Sequence, residues 1–245
     1  MQRVTFNGLV GAQPVQSIDS ADSTRQHPMG MLVTAYDDYW GGGEFMYVRA
    51  ASGTINQFAL CTLTSVFDSA LGAWQHKIVN VPNTANLGKQ LCVAMSNMVN
   101  GDYGWVCVSG IVPVNCNASV AADTAFGIAA TGQGGALTAG KQVCNAVVAT
   151  AATHTKVKAG WTQGLSTELV VSDTNGWFKG IYLSGTGIAA GTTVTKIDPD
   201  ERTVTLSLAT TAAIAGTNVT GTYNNGTVHY NIASINRPFA QGQIL

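Results

Sequence analysis

Short apolar or alternating stretches, separated by Gly and Asn, run from residue 31 to about residue 152 of this chain. Such stretches predict β-strands bounded by turns. The predicted strands are residues 31–36, 44–50, 57–63, 90–95, 104–109, 125–130 and 142–150. Their spacing of roughly ten residues, with a turn signal between neighbours, is typical of a sandwich or barrel. We therefore expect an all-β main domain formed by residues 31–155 and 224–245.

Two of these stretches carry further information. Trp105, Val106, Cys107 and Val108 are apolar at odd and even positions alike, which predicts a strand covered on both faces. Residues 84–99 offer the best place for a helical turn, but the alternation at 91–95 favours a strand there.

The chain changes character between residues 156 and 223, where Thr and Gly dominate. Residues 203–208 alternate hydroxyl and apolar side chains, which predicts a strand with one wet face. Pro199 marks a turn before it, and residues 194–197 would form the first arm of that hairpin. Residues 169–172 and 178–183 predict two more strands.

The earlier pattern returns at residues 227–235. We therefore interpret 156–223 as a small β module, immunoglobulin-like or similar, inserted into a hairpin of the main domain. The strands 142–150 and 227–235 should then pair across its base, since exposed loop tips tolerate such insertions.

Residues 1–30 are polar and irregular, with Pro14 and Pro28 and no persistent period. We expect an extended N-terminal arm with little core of its own. A helix there is disfavoured because Gly8, Gly11 and Pro14 interrupt it.

The composition adds a low charge content to this picture. Asp, Glu, Lys and Arg make up 10% of the 245 residues, against about 25% in an average domain. A surface this poor in charge lacks one protection against association, so we expect other copies or a partner to cover part of it. The net charge of -1 argues against nucleic acid as a partner. No apolar run approaches the roughly 20 residues that span a membrane, and we expect no secretory signal.

The five cysteines, Cys61, Cys92, Cys107, Cys116 and Cys144, form no CxxC pair. Four of them, all but Cys116, sit in apolar or small-residue strands. We expect buried thiols that act as small hydrophobic groups in a chain that assembles in a reducing cytoplasm.

Candidate catalytic or metal-binding residues are scattered. The four histidines lack metal-ligand spacing, and Gly41-Gly42-Gly43 precedes a strand instead of a phosphate-binding helix. Asp37 and Asp38 fit a solvated turn. The acidic group near Asp198 lacks the spacing and glycine of a calcium loop, and no G-x-S-x-G occurs. We therefore expect no enzyme activity, no metal and no cofactor.

Residues 30–51, with Gly-Gly-Glu-Phe at 42–45, and residues 102–110, with Tyr-Gly-Trp at 103–105, resemble a group of tailed-phage head proteins. The Ala-rich stretch 121–131 and residues 134–138 match the next part in order. Residues 160–222 are similar to a β module that recurs in phage virion proteins. Together the resemblance covers most of residues 28–235 and identifies the family as capsid decoration, or cement, proteins.

This resemblance implies a β-sandwich or β-tulip-like main domain, often trimeric, that clamps neighbouring major capsid proteins. The chain would lie on the capsid surface of a virion assembled in the host cytoplasm. We expect the arm to contact the capsid through its apolar anchors, Val4, Phe6, Leu9 and Val10.

A rival hypothesis is a receptor- or glycan-binding surface or fibre protein. Trp161, Trp177 and Tyr182 of the inserted module would then stack on sugar rings, although aromatics in such positions are more often core residues. A hydrolase ranks lower because no catalytic constellation converges.

Overall fold

The computed structural model describes residues 5–6, 16–37, 41–70, 72–118, 120–150, 155–161, 165–198, 202–223 and 229–242. No helix occurs in these ranges, and the regular structure there consists of β-strands in several sheets. The all-β fold class predicted from the alternation is therefore confirmed. The finer expectation of a sandwich or tulip stays a prediction.

The chain divides into two compact units. The small unit, described at 155–161, 165–198 and 202–223, contains six strands. The main unit contains all the other described residues. Its strands are β1 (Thr5–Phe6), β2 (Ala21–Asp22), β3 (Leu32–Asp37), β4 (Gly41–Ala50), β5 (Thr54–Ile55), β6 (Leu60–Asp68), β7 (Ala73–Asn80), β8 (Leu91–Ala94), β9 (Met98–Val99), β10 (Tyr103–Cys116), β11 (Gly127–Ala130), β12 (Gln133–Gly135), β13 (Val143–Thr150) and β20 (His229–Ala240).

The first half of β10 closes a five-stranded ring. It pairs with β4 on one side and with β8 on the other, β8 pairs with β6, and β6 pairs with β7. The ring closes where β7 runs parallel to β4 at Arg49↔Lys77 and Ala50↔Ile78. The main hydrophobic cluster, which includes Val48, Ile78 and Val106, draws on all five strands.

The second half of β10 begins another ring. It pairs with β20, and β20 pairs with β13. Residues 123–128 hydrogen-bond to the far edge of β13, as in Val143 N–H to the Phe126 carbonyl at 2.9 Å. The following strand β11 pairs with β12, and β12 pairs with Cys116 at the end of β10, which closes the ring. One 14-residue strand therefore belongs to two closed sheets.

The outer side of the first ring is covered by residues 16–28. Ile18 is 2% exposed, and β2 pairs with Tyr103 and Gly104 of β10. Trp105 and Cys107 are buried along with Val106 and Val108, as the two-faced apolar pattern predicted, and Gln16 of this cover accepts from the Trp105 indole. The prediction of an extended arm over 1–30 is wrong for residues 16–28, because they pack on the main unit. Residues 1–4 and 7–15 lie outside the described residues.

The small unit is one closed antiparallel sheet. Its strands are β14 (Thr155–Trp161), β15 (Glu168–Val171), β16 (Tyr182–Gly185), β17 (Val194–Ile197), β18 (Thr203–Leu206) and β19 (Ala215–Thr222). They follow the order β16-β19-β14-β15-β18-β17, and backbone hydrogen bonds from Gly180, Leu183 and Val194 join β17 back to β16. The predicted hairpin of 194–197 and 203–208 is confirmed at β17 and β18. A single closed sheet differs from the two facing sheets of an immunoglobulin-like module.

The predicted pairing across the base of the small unit is also confirmed. β13 and β20 are antiparallel neighbours, and their last pair is Thr150↔Ile232. Within the small unit, Thr155 of β14 pairs with Thr222 of β19. Within each unit, the two strands at which the chain leaves and re-enters that unit are therefore hydrogen-bonded neighbours.

Candidate functional site

Of the predicted arm anchors, Phe6 alone lies among the described residues. Phe6 lies in β1, whose backbone pairs with Ala35 of β3. Val4, Leu9 and Val10 lie outside the described residues. The capsid contact assigned to these four residues stays a prediction.

The predicted ligand aromatics of the small unit do not form a surface site. Trp177 is 1% exposed, and its indole lies so close to Gly221 that an added Cβ there would be 2.5 Å from Nε1. The prediction of a surface contact at Trp177 is therefore wrong, because this ring fills the core of the closed sheet. Tyr182 is half-buried. Trp161 lies in β14, and its side chain falls outside the described part.

The expectation of buried thiols is confirmed for four of the five cysteines, whereas Cys144 is only half-buried. All five are free, and Cys61, Cys92, Cys107 and Cys116 are buried. Burial raises the pKa of the Cys107 thiol to about 12 and that of Cys116 to about 11, so these groups stay protonated and unreactive at neutral pH. Among the described residues, no group of three or more His, Cys, Asp or Glu side chains could hold a metal ion.

An uncharged strip crosses three strands of the second ring. Ile111 of β10, Ser234 of β20 and Val147 of β13 are successive cross-strand partners. Ile111 is 43% and Val147 39% exposed. We call these three residues, with the flanking Ser109 and Asn236, the outer face. It is a surface of uncharged side chains on three hydrogen-bonded strands.

The charges beside the outer face neutralise one another. Glu44 is the register partner of Ser109, and Arg237 follows Asn236. The Arg237 guanidinium donates to the Glu44 carboxylate at 2.6 Å. Such an exposed ion pair contributes little to stability, but it leaves the edge of the outer face without net charge.

A second surface feature stands at the β6–β7 hairpin. Phe67 and Trp74 are directly opposite each other in this hairpin, and they are 52% and 60% exposed. Their rings meet edge to face, with centroids 5.7 Å apart and planes at 70°, a favoured geometry for aromatic pairs. The indole therefore has one aromatic neighbour while most of its surface stays in solvent.

The segment 25–29 faces this hairpin across an open cavity of about 520 Å³. The cavity lining consists of Arg25, Gln26, His27, Pro28, Met29, Ala73 and Trp74. Gly30 allows the segment to approach the hairpin closely. It has φ +76, and an added Cβ would lie 2.4 Å from Nε2 of His76.

The segment wall of the cavity is tied down through Gln16. The side-chain amide of Gln16 donates to the carbonyls of Tyr103 and Ser20, at 2.9 and 3.0 Å. Its side-chain oxygen accepts from the Tyr47 hydroxyl at 2.6 Å, and its backbone carbonyl accepts from the Trp105 indole at 3.2 Å. The buried Gln16 therefore fixes the segment to the first ring.

His27 belongs to the same network. Its ring packs edge-on against Tyr47, with centroids 5.1 Å apart. Its Nε2 accepts a hydrogen bond from the Gln16 backbone N–H, with the two nitrogen atoms 3.4 Å apart. Burial lowers the pKa of His27. The neutral ring, which can accept this hydrogen bond, is therefore the form that the site favours.

The sequence pattern does not mark the cavity residues as a site. Phe67 and Trp74 flank the turn of β6–β7 symmetrically, and this symmetry is a hairpin signal that was available. Nothing in the local pattern of Arg25 or His27 marks them, and His27 is placed by ring contacts with the distant Tyr47 and Trp105.

No known protein family matches the chain, and no curated protein or solved structure matches it either. In the part of the chain that the structure describes, no helix is long and apolar enough to cross a membrane.

Proposed function

We propose that this chain is a structural protein of a tailed-phage head that binds neighbouring major capsid proteins from outside and stabilises the shell. The proposal starts from the motif resemblance of residues 30–51 and 102–110. These two stretches contain β3, β4 and the first half of β10, which pair side by side in the first ring. The resembling motifs thus lie side by side in one sheet.

The outer face is the observation that carries the proposal. The exposed strip of Ile111, Ser234 and Val147 is bordered by an ion pair with no net charge. It can therefore pack against another protein without burying an unpaired charge. Interface cores are depleted in charged residues in the same way. The strands beneath it are part of a closed sheet, so docking would cost little ordering entropy.

The proposed assembly is a homotrimer on the capsid. A low-charge surface favours association, and three linked copies add avidity, since one engaged copy raises the effective concentration of the others. Each individual contact can then be modest in size.

The test is co-sedimentation of the purified chain with empty heads of its phage. Val147→Glu places a charge in the middle of the outer face and should weaken head binding at least tenfold, because an unpaired carboxylate would be desolvated. Ile111→Ala is a milder second variant at the same face. Leu208→Glu is the matched control, since Leu208 is similarly exposed, at 45%, but lies in the small unit.

Each variant is first checked for an unchanged thermal melt. Equal binding by the wild type and both outer-face variants would show that this face does not contact the shell. Failure of the wild type itself to sediment with heads would reject the proposed function.

A further inference from the structure

We propose that the cavity beside Trp74 binds an acidic saccharide, with a pyranose ring on the Trp74 indole and a carboxylate on the Arg25 guanidinium. This site lies on the main unit and includes none of the three aromatic residues of the small unit, Trp161, Trp177 and Tyr182, that the sequence suggested. The inference does not depend on the proposed capsid function.

The exposure of Trp74 is the first argument. The other tryptophans whose side chains are described, Trp105 and Trp177, are 0% and 1% exposed, whereas Trp74 is 60% exposed. A large aromatic ring normally contributes by being buried. Trp74 packs edge to face against Phe67, and its exposed indole is an apolar platform that a flat, partly apolar ligand such as a sugar ring can cover.

The charge of the cavity is the second argument. Arg25 and His27 are the ionisable residues of its lining, and no carboxylate lines it. Arg25 is exposed and makes no ion pair within the described part of the chain. A guanidinium presents a planar fork of donors that matches a carboxylate, so the cavity favours an anionic ligand.

The neighbouring polar groups are already engaged. The Gln26 side chain donates to the Asp22 carboxylate at 3.0 Å, and the Gln26 backbone N–H donates to the Tyr47 hydroxyl at 3.1 Å. This leaves Arg25 as the recognition group and makes Gln26 a support for the loop that carries it.

The segment wall of the cavity is tied to the first ring, and the same segment packs against β7 at Gly30. Gln16 anchors the segment wall to Tyr47 and Tyr103. His76, which packs against Gly30, is held by Ser65 Oγ at 2.9 Å from its Nδ1. The volume of about 520 Å³ falls within the usual range of roughly 300–1,000 Å³ for ligand sites. It suits one or two sugar rings.

The test uses the full-length chain on an array of defined oligosaccharides arranged as matched pairs, with and without a carboxylate-bearing sugar. The expected result is binding to carboxylated members and at least tenfold weaker binding to their neutral partners. Trp74→Ala should abolish binding to both. Arg25→Gln should remove only the preference for the carboxylated member.

Tyr36→Ala is the matched control, because Tyr36 is an exposed aromatic of the same unit, at 48%, that does not line the cavity. It should bind as the wild type does. Circular dichroism confirms the fold of each variant.

The absence of binding to every carboxylated member would overturn the proposal, as would binding that Trp74→Ala leaves unchanged. If the array is negative and Trp74→Ala instead weakens binding to heads, the cavity is a protein contact and the saccharide assignment is wrong. Neither result would bear on the outer face, whose variants are tested separately.

Discussion

At the scale of single residues, Gly221 shows how closely the small unit is packed. An added Cβ at this position would lie 2.5 Å from the buried Trp177 Nε1 and 2.9 Å from Cε2. Gly221→Ala should therefore destabilise the small unit by about 1–3 kcal/mol through overpacking. Hydrogen exchange of the β16 and β19 amides measures this loss.

Gly42 provides the matched control for that substitution. It also lies in a strand, but nothing stands within 4 Å of its added Cβ. Gly42→Ala should be neutral or stabilising by up to about 1 kcal/mol. Equal exchange rates in the two variants would contradict the packing argument.

Trp177 and Trp74 show that the sequence pattern around a tryptophan does not predict whether its side chain is buried. Both follow a turn with a nearby glycine, and the sequence pattern does not separate them. Trp177 is buried because a closed sheet surrounds it, and Trp74 is exposed because β6 and β7 project beyond their neighbours. Exposure here is a property of the tertiary arrangement, so composition cannot reveal it.

At the scale of elements, residues 16–28 are the main correction to the sequence analysis. Their polar composition resembles a free arm, yet Gln16 is buried and hydrogen-bonds to three residues on two strands of the first ring, and Ile18 is also buried. Polar residues that are satisfied by tertiary hydrogen bonds carry no local period, so the pattern misses them.

Two truncations test this structural role. A chain that starts at Gln16 keeps the whole network and should melt close to the full-length protein. A chain that starts at His27 loses Gln16 and Ile18 and uncovers Trp105. It should lose at least about 3 kcal/mol of stability, with a red shift of tryptophan fluorescence. Identical melting of the two truncations would show that the segment is not part of the core.

Strands with a strong local alternation were predicted well, and others were missed for a physical reason. The hairpin β17–β18 and the pair β13–β20 follow from period-two patterns and turn residues. β7, β14 and β19 were not predicted, because Thr, Gly, Lys and His interrupt their apolar positions. Their partners in the closed sheets supply the hydrogen bonds that local propensity does not favour.

At the scale of the whole molecule, the small unit should be removable. Thr150 pairs with Ile232 in the main unit, and Thr155 pairs with Thr222 in the small unit. Replacing residues 153–228 by a short Gly-Ser linker should leave β13 and β20 paired. The cost should be small, since loop closure changes by only about 0.6 kcal/mol per doubling of loop length.

The excised protein should therefore give a single cooperative melt near that of the full-length main unit, with exchange protection at β13 and β20. Loss of that protection, or an insoluble product, would mean that the small unit contributes to the main core.

The central claim is that the chain decorates a phage head, and a cryo-electron map of the particle tests it most directly. The account predicts density for the main unit on the outer surface of the shell, in clusters of three, with Ile111 and Val147 covered by a neighbouring subunit. A shell without this density, or with the outer face open to solvent, would contradict the account.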